Sequence, residues 1–310
     1  MRVAVIADVR GWAFDNILQG IIKYNPDPEL QIDVFYEVEL RRDRQKIRDL
    51  AKYDLIFPFS LFQANFLFRE GYRDYITMAH MGPLGTGLPP GEIPEVSSYD
   101  PGLFRAGMQG RRFGVVSTFL ADVWRLVKPD VQFLRIGVDP DIFYPSTEER
   151  AAGPLRVGWV GNSEKPYKRF DLVTAATDCA GMELCAVDWQ RTRGDVVRPH
   201  DQMGDFYRSI DVYLCTSDHE GLPTPVLESA ACGVPVVSVP VGIVPELVDD
   251  YQTGFIVDQG VVHIQAALCY LRDHPQGCAF MGGSILLRAQ QRLWPVVVGD
   301  LIDFIKGGAE

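Results

Sequence analysis

The residues best suited to chemistry lie together in Asp218-His219-Glu220-Gly221-Leu222-Pro223-Thr224-Pro225-Val226-Leu227-Glu228. They follow a short apolar run at 212–215 and open a helix-patterned run at 224–231. Thr224 is expected as the N-cap and Pro225 at the first helical position. The N–H groups of that first turn, near Pro225, Val226 and Leu227, then offer a phosphate the unsatisfied donors and positive dipole end of a helix start. Glu220 precedes the helix and Glu228 lies one turn inside it. One carboxylate can reach the sugar side of a bound donor and the other its nucleoside side. Ionised carboxylates suit vicinal hydroxyls because they accept hydrogen bonds strongly.

Such residues need a scaffold that presents loops at one edge. The first half alternates strand and helix patterns, with strands expected over 3–9, 30–38, 55–59, 76–80 and 113–117 and helices over 12–24 and 41–52. The second half repeats the alternation. Strands are expected over 157–160, 184–187, 212–215, 234–239 and 255–257, and helices over 171–176, 203–209, 224–231 and 265–272. This is an α/β pattern of two doubly wound, Rossmann-like parallel sheets with a cleft between them. The linker is expected at 140–150, giving domains over 1–148 and 149–310, with a last helix over 294–306 that can pack back on the first domain. The Gly- and Pro-rich segment 82–99 breaks the pattern and reads either as an acceptor-side loop or as a surface excursion.

Composition narrows the class. The 310 residues suit two domains of roughly 150 residues each. A formal net charge of -11 disfavours a nucleic-acid partner. The runs Arg41-Arg42-Asp43-Arg44 and Arg111-Arg112 read as solvated faces. Six cysteines lie in the second half without a C-x-x-C pair, which supports neither zinc nor a redox motif and fits a reducing, cytoplasmic compartment. No apolar stretch reaches the roughly 18 residues of a membrane span, so any membrane contact is expected to be peripheral.

Glu220 and Glu228, with seven residues between them, continue into Ser229-Ala230-Ala231-Cys232-Gly233-Val234-Pro235-Val236-Val237 and then Val244-Pro245-Glu246-Leu247-Val248 and Gly254-Phe255-Ile256-Val257. In its strand–helix–strand setting this stretch resembles the signature of family-four retaining glycosyltransferases of the GT-B fold, the glycosyl transferases group 1. Ile136-Gly137-Val138-Asp139-Pro140 with Phe143 and Pro145 resembles the family's interdomain link, with Gly137 at a turn. Val157-Gly158-Trp159-Val160-Gly161 followed by Lys168-Arg169 resembles its first C-domain strand and phosphate loop.

The resemblance implies transfer of a sugar from a UDP- or GDP-sugar to a hydroxyl acceptor, a saccharide or other glycoconjugate, with no required metal or cofactor. It assigns Lys168 to the donor diphosphate, Glu228 to the ribose and Glu220 to the transferred sugar. Gly161 and Gly221 lie in the loops that approach the donor. Many members carry arginine where this chain has Asn162, and Arg169 stands where glycine is usual. Arg169 is the alternative source of that charge. In the first domain, Asp8-Val9-Arg10-Gly11-Trp12 holds a single glycine. Gly11 allows close backbone approach, and Arg10 or Trp12 is placed for the acceptor, unless Trp12 only packs the helix start. His80 matches a histidine that similar enzymes place near the reacting sugar, or else is structural. Base recognition is expected around 188–200.

Two other classes compete. An epimerase or phosphorylase could share the architecture, but the glutamate pair and the absence of a cofactor-lysine motif speak against them. A non-catalytic sugar-nucleotide-binding GT-B subunit, or transfer to a modified nucleic-acid base, remains an alternative.

Overall fold

The computed structural model describes residues 1–80, 100–147, 153–189 and 198–307. The segment expected as an acceptor-side loop lies almost wholly outside them, as does most of the stretch expected to read the base. The chain forms two compact units, Met1–Gly137 with Trp294–Glu310, and Val138–Leu293.

The first unit runs β1 (Arg2–Ala7), α1 (Ala13–Tyr24), β2 (Gln31–Tyr36), α2 (Glu37–Leu40), α3 (Arg44–Asp49), β3 (Leu55–Pro58), α4 (Leu61–Arg69), β4 (Thr77–Ala79), α5 (Pro101–Gln109), β5 (Phe113–Val115), α6 (Thr118–Arg125) and β6 (Gln132–Phe133). Among the described residues the strands pair in the orders β2-β1-β3 and β4-β5-β6, all parallel. Ile76 N–H donates to the Ile56 carbonyl at 3.2 Å, and Thr77 Oγ1 to the Pro58 carbonyl at 2.9 Å, which joins the two sets. Val3 to Ala7 are buried throughout, as a central parallel strand covered on both faces requires.

Several expected boundaries shift for local reasons. Glu37 and Val38 leave the expected strand and enter α2. The charged helix begins only at Arg44, because Asp43 caps it by accepting from the Gln45 and Lys46 N–H groups. Helices α4, α5 and α6 were not expected from the sequence. They start at the caps Ser60, Asp100 and Ser117, whose side chains accept from N–H groups of the first turn. Gly102 and Gly107 weaken the helical signal of α5. Gly107 sits where a Cβ would come within 3.4 Å of both Leu61 and Phe113.

The second unit runs β7 (Leu155–Gly161), α7 (Phe170–Thr177), β8 (Met182–Asp188), α8 (Met203–Ser209), β9 (Val212–Cys215), α9 (Thr224–Ala231), β10 (Val236–Ser238), α10 (Val244–Leu247), β11 (Gly254–Ile256), α11 (Val261–Asp273) and α12 (Pro275–Ala289). Its strands lie parallel in the order β11-β10-β9-β7-β8. One face buries Tyr207, Val226, Leu227 and Ile285, and the other Val173, Leu214, Leu268 and Met281. Helix α12 also escaped the sequence pattern, since Gly282 and Gly283 interrupt it. Gly282 lets α12 approach the turn after α9: a Cβ there would fall 2.4 Å from the Gly233 carbonyl oxygen.

The last helix, α13 (Trp294–Lys306), belongs to the first unit. Its Trp294 indole fills the space above two glycines. A Cβ at Gly20 would lie 2.0 Å from the indole nitrogen, and one at Gly137 would lie 2.7 Å from Cδ2. Gly137 is therefore required by this contact, not by the turn expected for it. Arg112 Nη2 donates to the Ile305 carbonyl at 2.7 Å, and Lys306 pairs with Asp27 at 2.5 Å.

Trp294→Ala is expected to lower the stability of the first unit by about 3–5 kcal/mol through transfer and cavity terms. Urea denaturation checks this. Gly20→Ala should also destabilise, because the indole already occupies the place of the new Cβ.

Candidate functional site

In a parallel sheet the loops after the strands share one edge. The register Val157↔Val212 and Gly158↔Tyr213 sets β7 beside β9, so the loop after Gly161 meets the loop after Cys215. Thr216, fully buried, donates from Oγ1 to the Lys168 carbonyl at 3.0 Å. Asp218 N–H donates to the Tyr167 carbonyl at 2.7 Å. These two bonds fasten one loop to the other.

Lys168 and Glu220 meet across that junction. The ammonium pairs with Glu220 Oε1, which also accepts from Ser217 Oγ at 2.8 Å. Side-chain exposure is 20% for Lys168 and 14% for Glu220, so water screens the pair weakly. Burial works against the Lys168 charge, but the Glu220 carboxylate outweighs it and raises the pKa above the ordinary lysine value. The ring of Tyr167 stacks on His219 with centroids 4.6 Å apart, which accounts for His219 as a loop-shaping residue.

Glu228 projects from α9 and is buried. Its Oε2 accepts from the Tyr207 hydroxyl at 2.7 Å, and His200 Nε2 lies 3.5 Å from Oε1. Both partners come from one stretch, a 3₁₀ turn at His200–Gln202 running into α8. Burial, followed by the negative charge of Glu228, drives the Tyr207 pKa far up, so its hydroxyl stays a donor. For His200, burial favours the neutral ring, but Glu228 prevails and raises its pKa. Tyr207, His200, Ser217 and Thr216 were not singled out by the sequence. An i, i+7 spacing of His200 and Tyr207 signals nothing until Glu228 is known to lie opposite.

The helix start differs from expectation. Pro223 occupies the cap position without a side-chain bond, Thr224 is already helical, and Pro225 follows it. Pro225 has no N–H, and Val226 N–H donates to the Pro223 carbonyl at 2.9 Å. Fewer donors of this turn are thus available to an anion. Gly221 lies close against Gly242, where a Cβ would come 2.7 Å from the Gly221 carbonyl oxygen. Leu227 is buried in the core behind the helix.

The loop after β7 holds three more of the expected residues, Gly161, Asn162 and Arg169. Gly161 is the last residue of β7, and a Cβ there would fall 2.6 Å from the Trp159 ring. Asn162 accepts from the Glu164 N–H at 2.9 Å and shapes a turn. Arg169 adopts φ 49° and ψ 47°, the left-handed conformation that glycine tolerates best. Its guanidinium binds Asp171 at 3.0 Å and Asp218 at 3.3 Å, and hydrogen bonding to Asp171 raises its pKa. The extra positive charge is therefore held by two carboxylates. Among the described residues, no group of three His, Cys, Asp or Glu side chains is placed to hold a metal ion.

The remaining expected residues lie in the first unit. Arg10 stacks over Tyr36 at 4.3 Å and comes within 3.9 Å of Glu39. Gly11 has φ +74°, and its N–H donates to Asp15 Oδ2 at 2.7 Å. Trp12 is the N-cap residue of α1 and is half-buried. His80 Nε2 donates to the Phe59 carbonyl at 3.0 Å, between the rings of Phe14 and Phe59. Burial lowers its pKa to about 4, so the ring is neutral near pH 7 and is no acid. A cavity of about 440 Å³ also lies in this unit, lined by Arg44, Ile47, Arg48, Glu70 and Tyr72. Arg44 there is already paired with Glu70.

Residues 197–271 match the family model for glycosyl transferases group 1. The D-inositol 3-phosphate glycosyltransferase of Thermomonospora curvata is 28% identical over 113 residues, covering 36% of this chain and 26% of that protein. The chain spans about a quarter to a half of the length of the curated relatives it matches. The sucrose-phosphate synthase of Thermosynechococcus elongatus superposes with a TM-score of 0.77 at 14% identity, over 99% of this chain and 98% of that one. The Anabaena HepE structure with UDP and glucose gives 0.74 at 15% identity, over 100% of each chain. Two Rossmann-like α/β units of this topology have the GT-B fold, and residues 197–271 are similar to the glycosyl transferases group 1.

Tyr207→Phe leaves one oxygen of buried Glu228 without its donor and is expected to cost about 2 kcal/mol in chemical denaturation. The two histidines should act oppositely on stability. His200, with a raised pKa, contributes fully below its unfolded value near 6.5, and the contribution fades as pH rises through its folded value. His200→Gln should therefore flatten the loss of stability that sets in as pH rises above 6.5. His80 falls from 6.5 to about 4 on folding, so its contribution is complete above pH 6.5. Roughly 3 kcal/mol should be lost as pH falls between those values. Denaturation midpoints of His80→Gln across that range test this.

Proposed function

We propose that the protein is a retaining glycosyltransferase, moving a sugar from a UDP- or GDP-sugar to a hydroxyl of a saccharide or other glycoconjugate. The observation that carries this reading is that the Lys168–Glu220 pair and the Glu228–Tyr207 carboxylate belong to one unit. A nucleoside diphosphate brings the two ligand chemistries these groups fit, an anion for Lys168 and a vicinal diol for Glu228. The names of the group 1 relatives support it, as does the UDP held by the HepE structure.

In this reading the donor diphosphate draws Lys168 away from Glu220. The freed carboxylate then accepts hydrogen bonds from the hydroxyls of the transferred sugar. Glu228, held by Tyr207, accepts from the ribose. As the glycosidic bond breaks, negative charge gathers on the leaving diphosphate, where Lys168 stabilises it. The acceptor hydroxyl attacks from the same face, and the leaving phosphate takes its proton. In the first unit, Gly11, Trp12 and His80 are offered to the acceptor, with His80 as a neutral hydrogen-bonding group. We place the reaction in the cytoplasm, with at most peripheral membrane contact and without a required metal or cofactor.

A second reading is a non-catalytic sugar-nucleotide-binding subunit. It is favoured by Asn162, a neutral turn residue, and by Arg169, whose charge Asp171 and Asp218 already hold.

A thermal-shift screen with UDP, GDP, ADP, dTDP and CDP, with and without magnesium, tests the donor site. One nucleotide should stabilise the protein, and Glu228→Ala should abolish the shift. Lys168→Ala should weaken the diphosphate about tenfold or more, a loss of roughly 1.4 kcal/mol, while leaving the nucleoside largely unaffected. Release of diphosphate from the matching sugar donor then separates the readings. Glu220→Gln should retain nucleotide binding and lower turnover about a hundredfold. Binding without any turnover supports the subunit, and no binding by a folded sample overturns both.

A further inference from the structure

Three cations stand in the loop between β7 and α7, and their charges are held differently. Lys168 is paired with Glu220, and Arg169 with Asp171 and Asp218. Lys165 is half-buried and, among the described residues, makes no ion pair with a carboxylate. Its ammonium donates instead to the Tyr167 hydroxyl at 3.1 Å. A phenol anchors an ammonium without cancelling its charge. The backbone sets where that charge stands. Asn162 shapes a turn: its side chain accepts from the Glu164 N–H at 2.9 Å, and its carbonyl from the Lys165 N–H at 3.1 Å. The Lys165 carbonyl in turn accepts from the Lys168 N–H at 3.0 Å, at the start of a 3₁₀ turn over Pro166–Lys168. Both ammoniums come to the Tyr167 ring, Lys165 Nζ at 5.5 Å and Lys168 Nζ at 5.6 Å from its centroid. The ring is itself fixed. It stacks on His219, and the Tyr167 carbonyl accepts from the Asp218 N–H.

We propose that Lys165 is a second cation for the donor diphosphate, acting beside Lys168; this rests on the donor-site reading given above. A diphosphate carries more negative charge than one ammonium offsets. In that reading Lys168 must exchange Glu220 for the ligand, and Arg169 is already held by two carboxylates. Lys165 has no carboxylate to leave. An ammonium offers three donors on a flexible stem, so Lys165 can keep the Tyr167 hydroxyl while it binds a diphosphate oxygen. The charge that the loop has free for an anion is therefore that of Lys165. Once Lys168 turns to the ligand, the two ammoniums on the Tyr167 ring share the diphosphate.

The full chain is titrated calorimetrically with UDP, GDP, ADP, dTDP and CDP, and then with the parent nucleoside of the one that binds. Lys165→Gln is expected to weaken that diphosphate about tenfold at low salt and to leave the nucleoside unaffected. The loss should shrink in about 1 M salt, where charges are screened over a few ångströms. Lys165→Arg should restore most of the affinity, because it returns the charge. Tyr167→Phe keeps the ring but removes the anchoring hydroxyl, and should weaken the diphosphate less than Lys165→Gln does. Undiminished diphosphate affinity in Lys165→Gln at low salt overturns the proposal, and so does an equal loss for the nucleoside. If folded wild-type protein binds none of the five, the donor-site reading fails and this proposal with it. If wild-type protein binds one and Lys165→Gln binds it equally well, only this proposal fails.

Discussion

The meeting of Lys168 with Glu220 depends on β7 and β9 lying side by side and parallel. Their residues are 52 positions apart in the chain. Only the shared carboxyl edge of a parallel sheet brings those two loops into contact. Once there, the loops are fastened by a bond from the Thr216 hydroxyl and one from the Asp218 N–H, so the fold holds the ion pair in place. A lysine ammonium with little exposure is costly without a partner. Glu220 supplies that partner, so the contact stabilises the junction of the two loops.

Around this pair the carboxylates are treated differently. Glu220 shares its oxygen with an ammonium and a serine hydroxyl, while Glu228 is fixed by a buried tyrosine and approached by a histidine. A buried carboxylate with a permanent donor keeps its orientation, and Tyr207 is that donor for Glu228. Arg169 adds a third arrangement. It occupies a backbone conformation suited to glycine, and its charge is spent on two neighbouring aspartates.

The first unit uses the same parallel-sheet logic with different contents. Its loop after β1 is organised by buried Asp15, which accepts from the Gly11 N–H, Gln19 and the Tyr36 hydroxyl. His80 follows β4 as a neutral ring among aromatics. Helix α13 completes the unit by seating Trp294 over Gly20 and Gly137, so the last helix is part of the core built by the first strands.

The sequence by itself determined the alternation of strands and helices, the α/β class and the stretch that carries Glu220 and Glu228. Those features are local: hydrophobic period, turn residues and a contiguous motif are written along the chain. It did not reveal α4, α5, α6 or α12, because glycines and continuous apolar runs blur a helical period that caps and packing then enforce. It placed Thr224 as a cap where Pro223 stands, since a one-residue shift of a helix start is decided by backbone geometry. Only the tertiary structure decided that Tyr207 and His200 attend Glu228, that Arg169 is already neutralised, and that Gly137 serves Trp294. Apart from the Arg169–Asp171 pair, those contacts join residues distant in sequence, and a contact across a sheet or between helices leaves no periodic trace in one chain's residues.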